Sequence, residues 1–170
     1  MPGNVRQGMK KILIPVAAAL LFSIAYAINL PELKEGLWSV HTQTINNPGN
    51  VKSEGTYTLC RNHAFDQAAE ARAKSMKGCT MVSENFEGGK YSSQMHCVAA
   101  GTVIETKGTN TFQGDTSFHS ESHATYTPPL SGITEMTIIV DQKYAGSCPV
   151  GTEPGDRTNS DGTVIHLGKH

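Results

Sequence analysis

Four cysteines constrain the fold of this chain more than any other feature of its sequence. They lie 19, 18 and 51 positions apart, a spacing that matches no local set of zinc ligands such as C-x2-C. An even number of cysteines in an exported chain predicts a disulfide framework instead. We therefore expect two bridges among Cys60, Cys79, Cys97 and Cys148.

The first 27 residues have the pattern of a secretory signal peptide. Three basic residues precede an apolar run over 12–24, and the small-residue site Ala25-Tyr26-Ala27 follows it. The run is too short to cross a bilayer, which takes about 20 residues. The pattern predicts cleavage between Ala27 and Ile28 and a location in the periplasm or outside the cell.

Charge and hydropathy exclude two classes of partner for the rest of the chain. Without the three basic residues of the leader, 11 Lys and Arg remain against 15 Asp and Glu, a net charge of about −4. A mildly acidic chain without a basic run lacks the positive surface to which nucleic acids and anionic lipids bind. No later stretch is long and apolar enough to cross a membrane. We predict no nucleic-acid partner and no integral membrane segment after cleavage.

One segment after the leader has the pattern of a helix. Asn62 can cap it, apolar residues recur at helical spacing, and Gly78 can stop it, so we predict a helix near 62–77. About 16 residues at 1.5 Å each span about 24 Å, whereas bridged cysteines hold their Cα atoms within about 7 Å. Cys60 and Cys79 lie at opposite ends of this helix, so they are not expected to pair.

Two disulfide pairings remain open. One joins Cys60 to Cys148 and Cys79 to Cys97, and the other joins Cys60 to Cys97 and Cys79 to Cys148. The Gly-Gly pair at 88–89 predicts a hairpin between two strand-like runs. Because folding about this turn brings Cys79 close to Cys97, the hairpin favours the first pairing.

The remaining residues of the domain are predicted to form strands. Apolar and polar positions alternate between turn residues, as in the first strand, where Trp38, Val40 and Thr42 share a face and Trp38 is expected in the core. Short turns predict an antiparallel meander or a partly closed barrel, with the helix as its lid. We thus expect a mainly β, β-rich α+β fold over 28–148, stapled by disulfides. Residues 149–170, rich in Gly, Pro and polar side chains, are predicted to form an exposed, flexible tail.

The order of these features resembles a known bacterial family. The motifs that carry the resemblance are Pro31, Gly36-Leu37-Trp38-Ser39-Val40, Cys60, Cys79, Cys97 and Gly146-Ser147-Cys148. Over 31–148 they are similar to the family catalogued as domain of unknown function 3617, which consists of small exported proteins. The resemblance implies a periplasmic location in a Gram-negative bacterium, and it implies no activity because the family has none assigned. The segment after Cys148 departs from the family, whose members often end soon after the last cysteine.

Three residues of one predicted strand are candidates for metal ligands. His119, Glu121 and His123 project from the same face at Cα spacings of about 6.6–7 Å, and two imidazoles with a carboxylate suit zinc or copper. The opposite face of this strand carries apolar residues such as Phe118 and Ala124. We therefore favour the simpler interpretation, in which the His-Glu-His row is the solvated face of a half-buried strand.

No motif predicts an enzyme. The sequence contains no G-x-S-x-G elbow, P-loop or H-E-x-x-H motif, and the cysteines are better explained as bridges than as nucleophiles. We expect a non-enzymatic protein with no catalytic residues and no cofactor.

Two binding roles remain for such a domain. In the first, a curled sheet holds a small apolar ligand or lipid, with a lining that includes Ser93, Met95, Ser120, Ser122, Ala124 and Met136. In the second, the protein binds or inhibits a protein partner through exposed loops at 46–50 and 128–132. An open cavity favours the first role, whereas the second is favoured by an interior filled by Trp38, Tyr57, Phe86, Phe112 and Tyr144.

Overall fold

The structure is a computed structural model that describes residues 28–167. The predicted signal peptide over 1–27 lies outside the described residues, and its cleavage stays a prediction. Within 28–167 the elements are β1 Gly36–Asn47, β2 Val51–Arg61, α1 His63–Lys74, β3 Cys79–Glu87, β4 Lys90–Ala99, β5 Thr102–Gln113, β6 Ser117–Leu130, β7 Ile133–Gly146, β8 Asp156–Asn159 and β9 Val164–His166. The predicted β-rich fold with one short helix is confirmed.

The strands form one antiparallel sheet in the order β3-β4-β5-β6-β7-β1-β2-β8-β9. Strands β3 to β7 make a meander in which each strand pairs with the next. Strand β1 then lies between β7 and β2 and pairs with both. Within the described residues, the two outer strands β3 and β9 do not pair with each other, so the sheet is an open meander and not a closed barrel.

The strand registers gather the alternating apolar residues on one side of the sheet, which we call the inner face. Trp38 of β1 lies opposite Leu59 of β2 and Tyr144 of β7 on this face. The opposite, outer face carries the intervening polar residues. The inner face is therefore the side of the sheet that has apolar surface to bury.

The most deeply buried side chains lie at one end of the inner face, around Trp38. The side chains of Trp38 and Val40 are 0% exposed. The Trp38 ring lies 6.2 Å from the ring centroids of both Phe118 and Tyr144, and its indole N–H donates a hydrogen bond to the Lys34 carbonyl over 2.9 Å. The prediction that Trp38 belongs to the core is confirmed.

The geometry of the sheet requires a glycine at position 36, two residues before Trp38. Gly36 has a φ of +139°, and a Cβ at this position would collide with the carbonyl oxygen of Gly146. Glycine alone adopts this conformation at low cost and leaves room for so close a neighbour. The motif around Gly36 and the one around Gly146 are therefore two sides of the same contact between β1 and β7.

The two disulfides follow the pairing that the hairpin favours. Cys60 is bridged to Cys148 and Cys79 to Cys97. Cys79 and Cys97 lie directly opposite each other on β3 and β4, as the turn at 88–89 predicts. The first pairing is confirmed, and it leaves no free cysteine in the described part of the chain.

The helix is present but ends earlier than predicted. The Asn62 side chain caps it by accepting a hydrogen bond from the Phe65 N–H over 2.8 Å. Ser75 leaves the helical conformation, with φ −100° and ψ 11°, so α1 stops at Lys74. None of the residues of α1 is fully buried. The helix is therefore not packed tightly onto the sheet.

The described residues after Cys148, 149–167, correct the prediction of a flexible tail over 149–170. Strand β8 pairs with β2, and β9 pairs with β8. The Arg157 guanidinium lies 3.9 Å from the centroid of the Tyr57 ring, and the largely buried Asp156 contacts His166. Sequence composition misses these strands because backbone hydrogen bonds, a cation–π contact and the hydrogen bond between His166 and Asp156 hold them, with little apolar burial.

Candidate functional site

A groove separates the inner face from the residues that lie above it. Two clefts, of about 470 Å³ and about 240 Å³, make up this groove. Ile28 and Leu30 of the N-terminal segment, Glu70 of α1 and Asn110 of β5 line both clefts, so the clefts meet at these residues. The helix is thus a lid that stands over the sheet without filling the space beneath it.

The larger cleft has an aromatic wall. Phe112 and Phe118 line it together with Leu33, and the centroids of the two phenyl rings lie 5.6 Å apart. Phe86 extends this cluster, with its ring 6.1 Å from that of Phe112. The rings pack against one another beside the cleft, so they shape an apolar surface and leave the cleft open.

The smaller cleft has a lining that can adapt its shape. Met81 and Met95 line it with Tyr91 and Ser93, and unbranched methionine side chains adjust readily to a ligand. The Tyr91 hydroxyl donates a hydrogen bond to Glu84 over 3.0 Å. Burial, and then the Glu84 carboxylate, raise the pKa of Tyr91. This side of the groove therefore presents a neutral phenol among apolar groups.

Arg61 holds the helix over the inner face. Its guanidinium lies 2.8 Å from the Asp66 carboxylate of α1 and donates to the Gln142 side chain of β7 over 3.1 Å. The same group lies 5.1 Å from the Trp38 ring centroid and 5.8 Å from that of Phe118. One largely buried side chain thus joins β2, α1, β7 and the core.

The ion pair of Arg61 with Asp66 is partly removed from water. Burial raises the pKa of the Asp66 carboxyl, and this effect outweighs the hydrogen bond and charge of Arg61, which lower it. The folded protein therefore binds a proton at Asp66 more tightly than the unfolded chain does.

The raised pKa of Asp66 predicts a pH dependence of stability. Its stabilising contribution is complete below the ordinary value of 3.8 and is lost as the pH rises through the folded pKa. We expect Asp66→Asn, which does not titrate, to lessen the fall in the free energy of unfolding as the pH rises above 3.8. Urea unfolding at a series of pH values measures this slope. Asp115→Asn, at an exposed turn position, is the control, and equal slopes for Asp66→Asn and the wild-type protein would contradict the prediction.

The structure brings together only part of the predicted ligand lining. Ser93 and Met95 line the groove. The other four predicted residues lie on the inner face, as the strand register shows, but they line neither cleft. They are Ser120, Ser122, Ala124 and Met136. Sequence reasoning missed the N-terminal segment, although its apolar residues Ile28, Leu30 and Leu33 were a signal for it.

The predicted metal-ligand row does not form a cluster. His119 places its Nδ1 atom 2.8 Å from the Asp141 carboxylate, and His123 places its Nδ1 atom 3.1 Å from the Thr137 hydroxyl. Glu121 is exposed on the same outer face. Among residues 28–167, no three His, Cys, Asp or Glu side chains are grouped so that they can hold an ion. The two imidazoles contact β7, and the row lies along the outer face of the sheet.

The fold and the groove define a class of protein, a disulfide-linked antiparallel β-sheet domain with one helix held over its inner face. The chain belongs to the family described as Protein of unknown function (DUF3617), whose pattern matches residues 33–148. The resemblance predicted from the sequence motifs is therefore confirmed. No curated protein matches the chain. The matched range contains both disulfides, the helix and the sheet residues of the groove.

In the part of the chain that the structure describes, no helix has both the length and the apolar character of a membrane span. The two disulfides fit a protein of the periplasm or the cell exterior, where thiols are oxidised.

Proposed function

We propose that this protein is an exported, non-enzymatic binding protein that holds a small apolar ligand or lipid in the groove. The observation that carries the proposal is an open space between α1 and the aromatic wall of the inner face. Its larger cleft, of about 470 Å³, lies within the range of about 300–1,000 Å³ that is typical of small-molecule sites. An interior filled by aromatic rings would instead favour a role at the protein surface.

The way the helix is held also supports a binding role. Arg61 fixes α1 from one end through Asp66, while the helix itself buries no residue completely. Apolar side chains that face the groove, such as Leu30 and Phe112, keep surface in contact with water in the free protein. A ligand that covers this surface gains about 25 cal/mol for each Å² of apolar area removed from water.

The location and the lack of catalysis belong to the same proposal. The leader pattern over 1–27 and the two disulfides support export to an oxidising compartment. The absence of any recognised catalytic motif from the sequence supports a binding role rather than an enzymatic one.

A bulky residue in the groove tests the proposal. We expect the neutral fluorescent probe N-phenyl-1-naphthylamine to bind the wild-type protein saturably, and Gln67→Trp, which places a bulkier side chain at the larger cleft, to weaken binding by about tenfold, or about 1.4 kcal/mol. Ala71→Trp is the matched control, because Ala71 is exposed on the same helix and lines neither cleft. Fluorescence titration measures the three affinities. A probe that shows no saturable binding, or that binds Gln67→Trp as tightly as wild type, would contradict the proposal.

Binding of a protein partner is the second candidate. The turns after β1 and after β6 lie side by side, since the Thr134 hydroxyl donates to the Asn47 carbonyl over 3.3 Å. Val51 is 61% exposed and Leu130 is 40% exposed beside these turns, which leaves apolar surface for a partner. A groove that takes up no probe would favour this role.

A further inference from the structure

We infer that the groove takes an uncharged amphiphile whose polar group hydrogen-bonds to the side chain of Asn110. This inference rests on the proposed function and names the chemistry of its ligand. It follows from the position of one amide in the groove, from the apolar surface on both sides of that amide, and from the charges around it.

The side chain of Asn110 is a polar group at the centre of the groove. It lines both clefts and lies between Tyr91 of β4 and Ser120 of β6 on the inner face. Its side chain is partly buried, and no described residue forms a hydrogen bond with it. An amide offers two donor hydrogens and an acceptor oxygen. A ligand that uses these atoms recovers hydrogen bonding that the free protein leaves to water.

Apolar side chains flank Asn110 in both directions along the groove. Phe112 and Phe118 lie on the side of the larger cleft, and Met81 and Met95 lie on the side of the smaller one. A ligand that reaches Asn110 therefore contacts apolar surface over the rest of its length. This arrangement suits a molecule with an apolar body and a single hydrogen-bonding group.

The charges of the groove disfavour an anionic ligand. The basic side chains of the clefts are one arginine, one lysine and one histidine, against four carboxylates, Glu32, Asp66, Glu70 and Glu84. Each basic group already has a partner, because Arg61 lies 2.8 Å from Asp66 and Lys74 lies 2.7 Å from Glu70. His63 lies 3.0 Å from the Leu33 carbonyl and 3.6 Å from Glu35. A carboxylate or phosphate head group would find repulsion and no free cation.

The same contacts favour an uncharged ligand over a cationic one. Asp66 and Glu70 are compensated by Arg61 and Lys74. Glu84 accepts a hydrogen bond from the Tyr91 hydroxyl, and Glu32 is exposed, so water screens the charge of its carboxylate. A cationic ligand would have to compete with these partners, whereas an alcohol or amide group can bind Asn110 without disturbing them.

Three ligands of equal chain length test the charge preference. Decanamide, decanoic acid and decylamine are titrated at about pH 7 against the full mature chain, by displacement of N-phenyl-1-naphthylamine. We expect decanamide to bind about tenfold more tightly than either charged analogue, a difference of about 1.4 kcal/mol. Equal or tighter binding of decanoate or decylamine would overturn the inference.

Substitution of the amide tests its role directly. Asn110→Leu keeps the size of the side chain and is expected to weaken decanamide binding about two- to twelvefold, the range of one hydrogen bond. Asn85→Leu, at an exposed position on the outer face, is the matched control. Asn110→Asp keeps the shape and adds a charge, so it should shift the preference toward decylamine. Unchanged decanamide affinity in Asn110→Leu, or an unchanged preference in Asn110→Asp, would refute the role of Asn110.

The two proposals fail in distinguishable ways. If the wild-type protein binds neither the probe nor any of the three ligands, the groove is not a binding site and the proposed function fails. If the probe binds but the ligand order or the Asn110 variants differ from expectation, the proposed function stands and the inference about ligand chemistry is wrong.

Discussion

Replacing both Cys60 and Cys148 by serine is expected to lower the free energy of unfolding by about 4–5 kcal/mol. This bridge joins residues 88 positions apart, and cross-linking a long loop removes more conformational freedom from the unfolded chain than cross-linking a short one. It also ties β2 to the segment that follows β7, on the far side of β1. Loss of this bridge therefore destabilises the part of the sheet in which paired strands are far apart in the sequence.

The second bridge provides the comparison. Cys79 and Cys97 are 18 positions apart, so replacing both by serine should cost about 3 kcal/mol. Guanidinium chloride unfolding of both double variants without reductant measures the two losses. An equal loss of stability in the two double variants would contradict this expectation.

Trp38→Ala is expected to destabilise the protein by about 3–5 kcal/mol. The side chain is 0% exposed, and its removal leaves a cavity beside Tyr144 and Phe118. It also takes away one of the two rings against which the Arg61 guanidinium lies. Thermal and urea unfolding followed by circular dichroism measure the change.

Trp38→Phe is the conservative variant for this site. It retains an aromatic ring in the core and loses the hydrogen bond to the Lys34 carbonyl, so it should cost distinctly less than Trp38→Ala. A loss below about 1 kcal/mol for Trp38→Ala would show that the core does not depend on this side chain.

The features that sequence predicts well are those with local causes. Alternating residues in β1 placed Trp38 on the buried side, because successive side chains of a strand point to opposite faces. The turn at 88–89 brought Cys79 opposite Cys97, because a hairpin fixes its own register. Asn62 marked the start of α1 for the same kind of reason, since a cap acts within one helical turn.

The features that sequence does not predict depend on residues far apart in the chain. The groove forms where Ile28, Glu70 and Asn110 meet, and no local pattern relates these three positions. The sequence places His119, Glu121 and His123 on one face of a strand. Their neighbours on β7 depend on how β6 pairs with β7, and the spacing of residues along the chain does not predict that pairing. Strand β8 escaped prediction because it joins the sheet through β2 with little apolar content of its own.

The position of β1 between β2 and β7 also determines how the protein can be assembled during synthesis. As the nascent chain emerges, β1 meets β2 at once, but its other neighbour is made only near the end, since Leu37 pairs with Gly146. The backbone N–H and C=O groups along one edge of β1 therefore stay unpaired while the meander is completed. Such an edge can pair with a strand of another chain. We expect the yield of refolded protein to fall as its concentration rises, and a chaperone that shelters this edge to restore it.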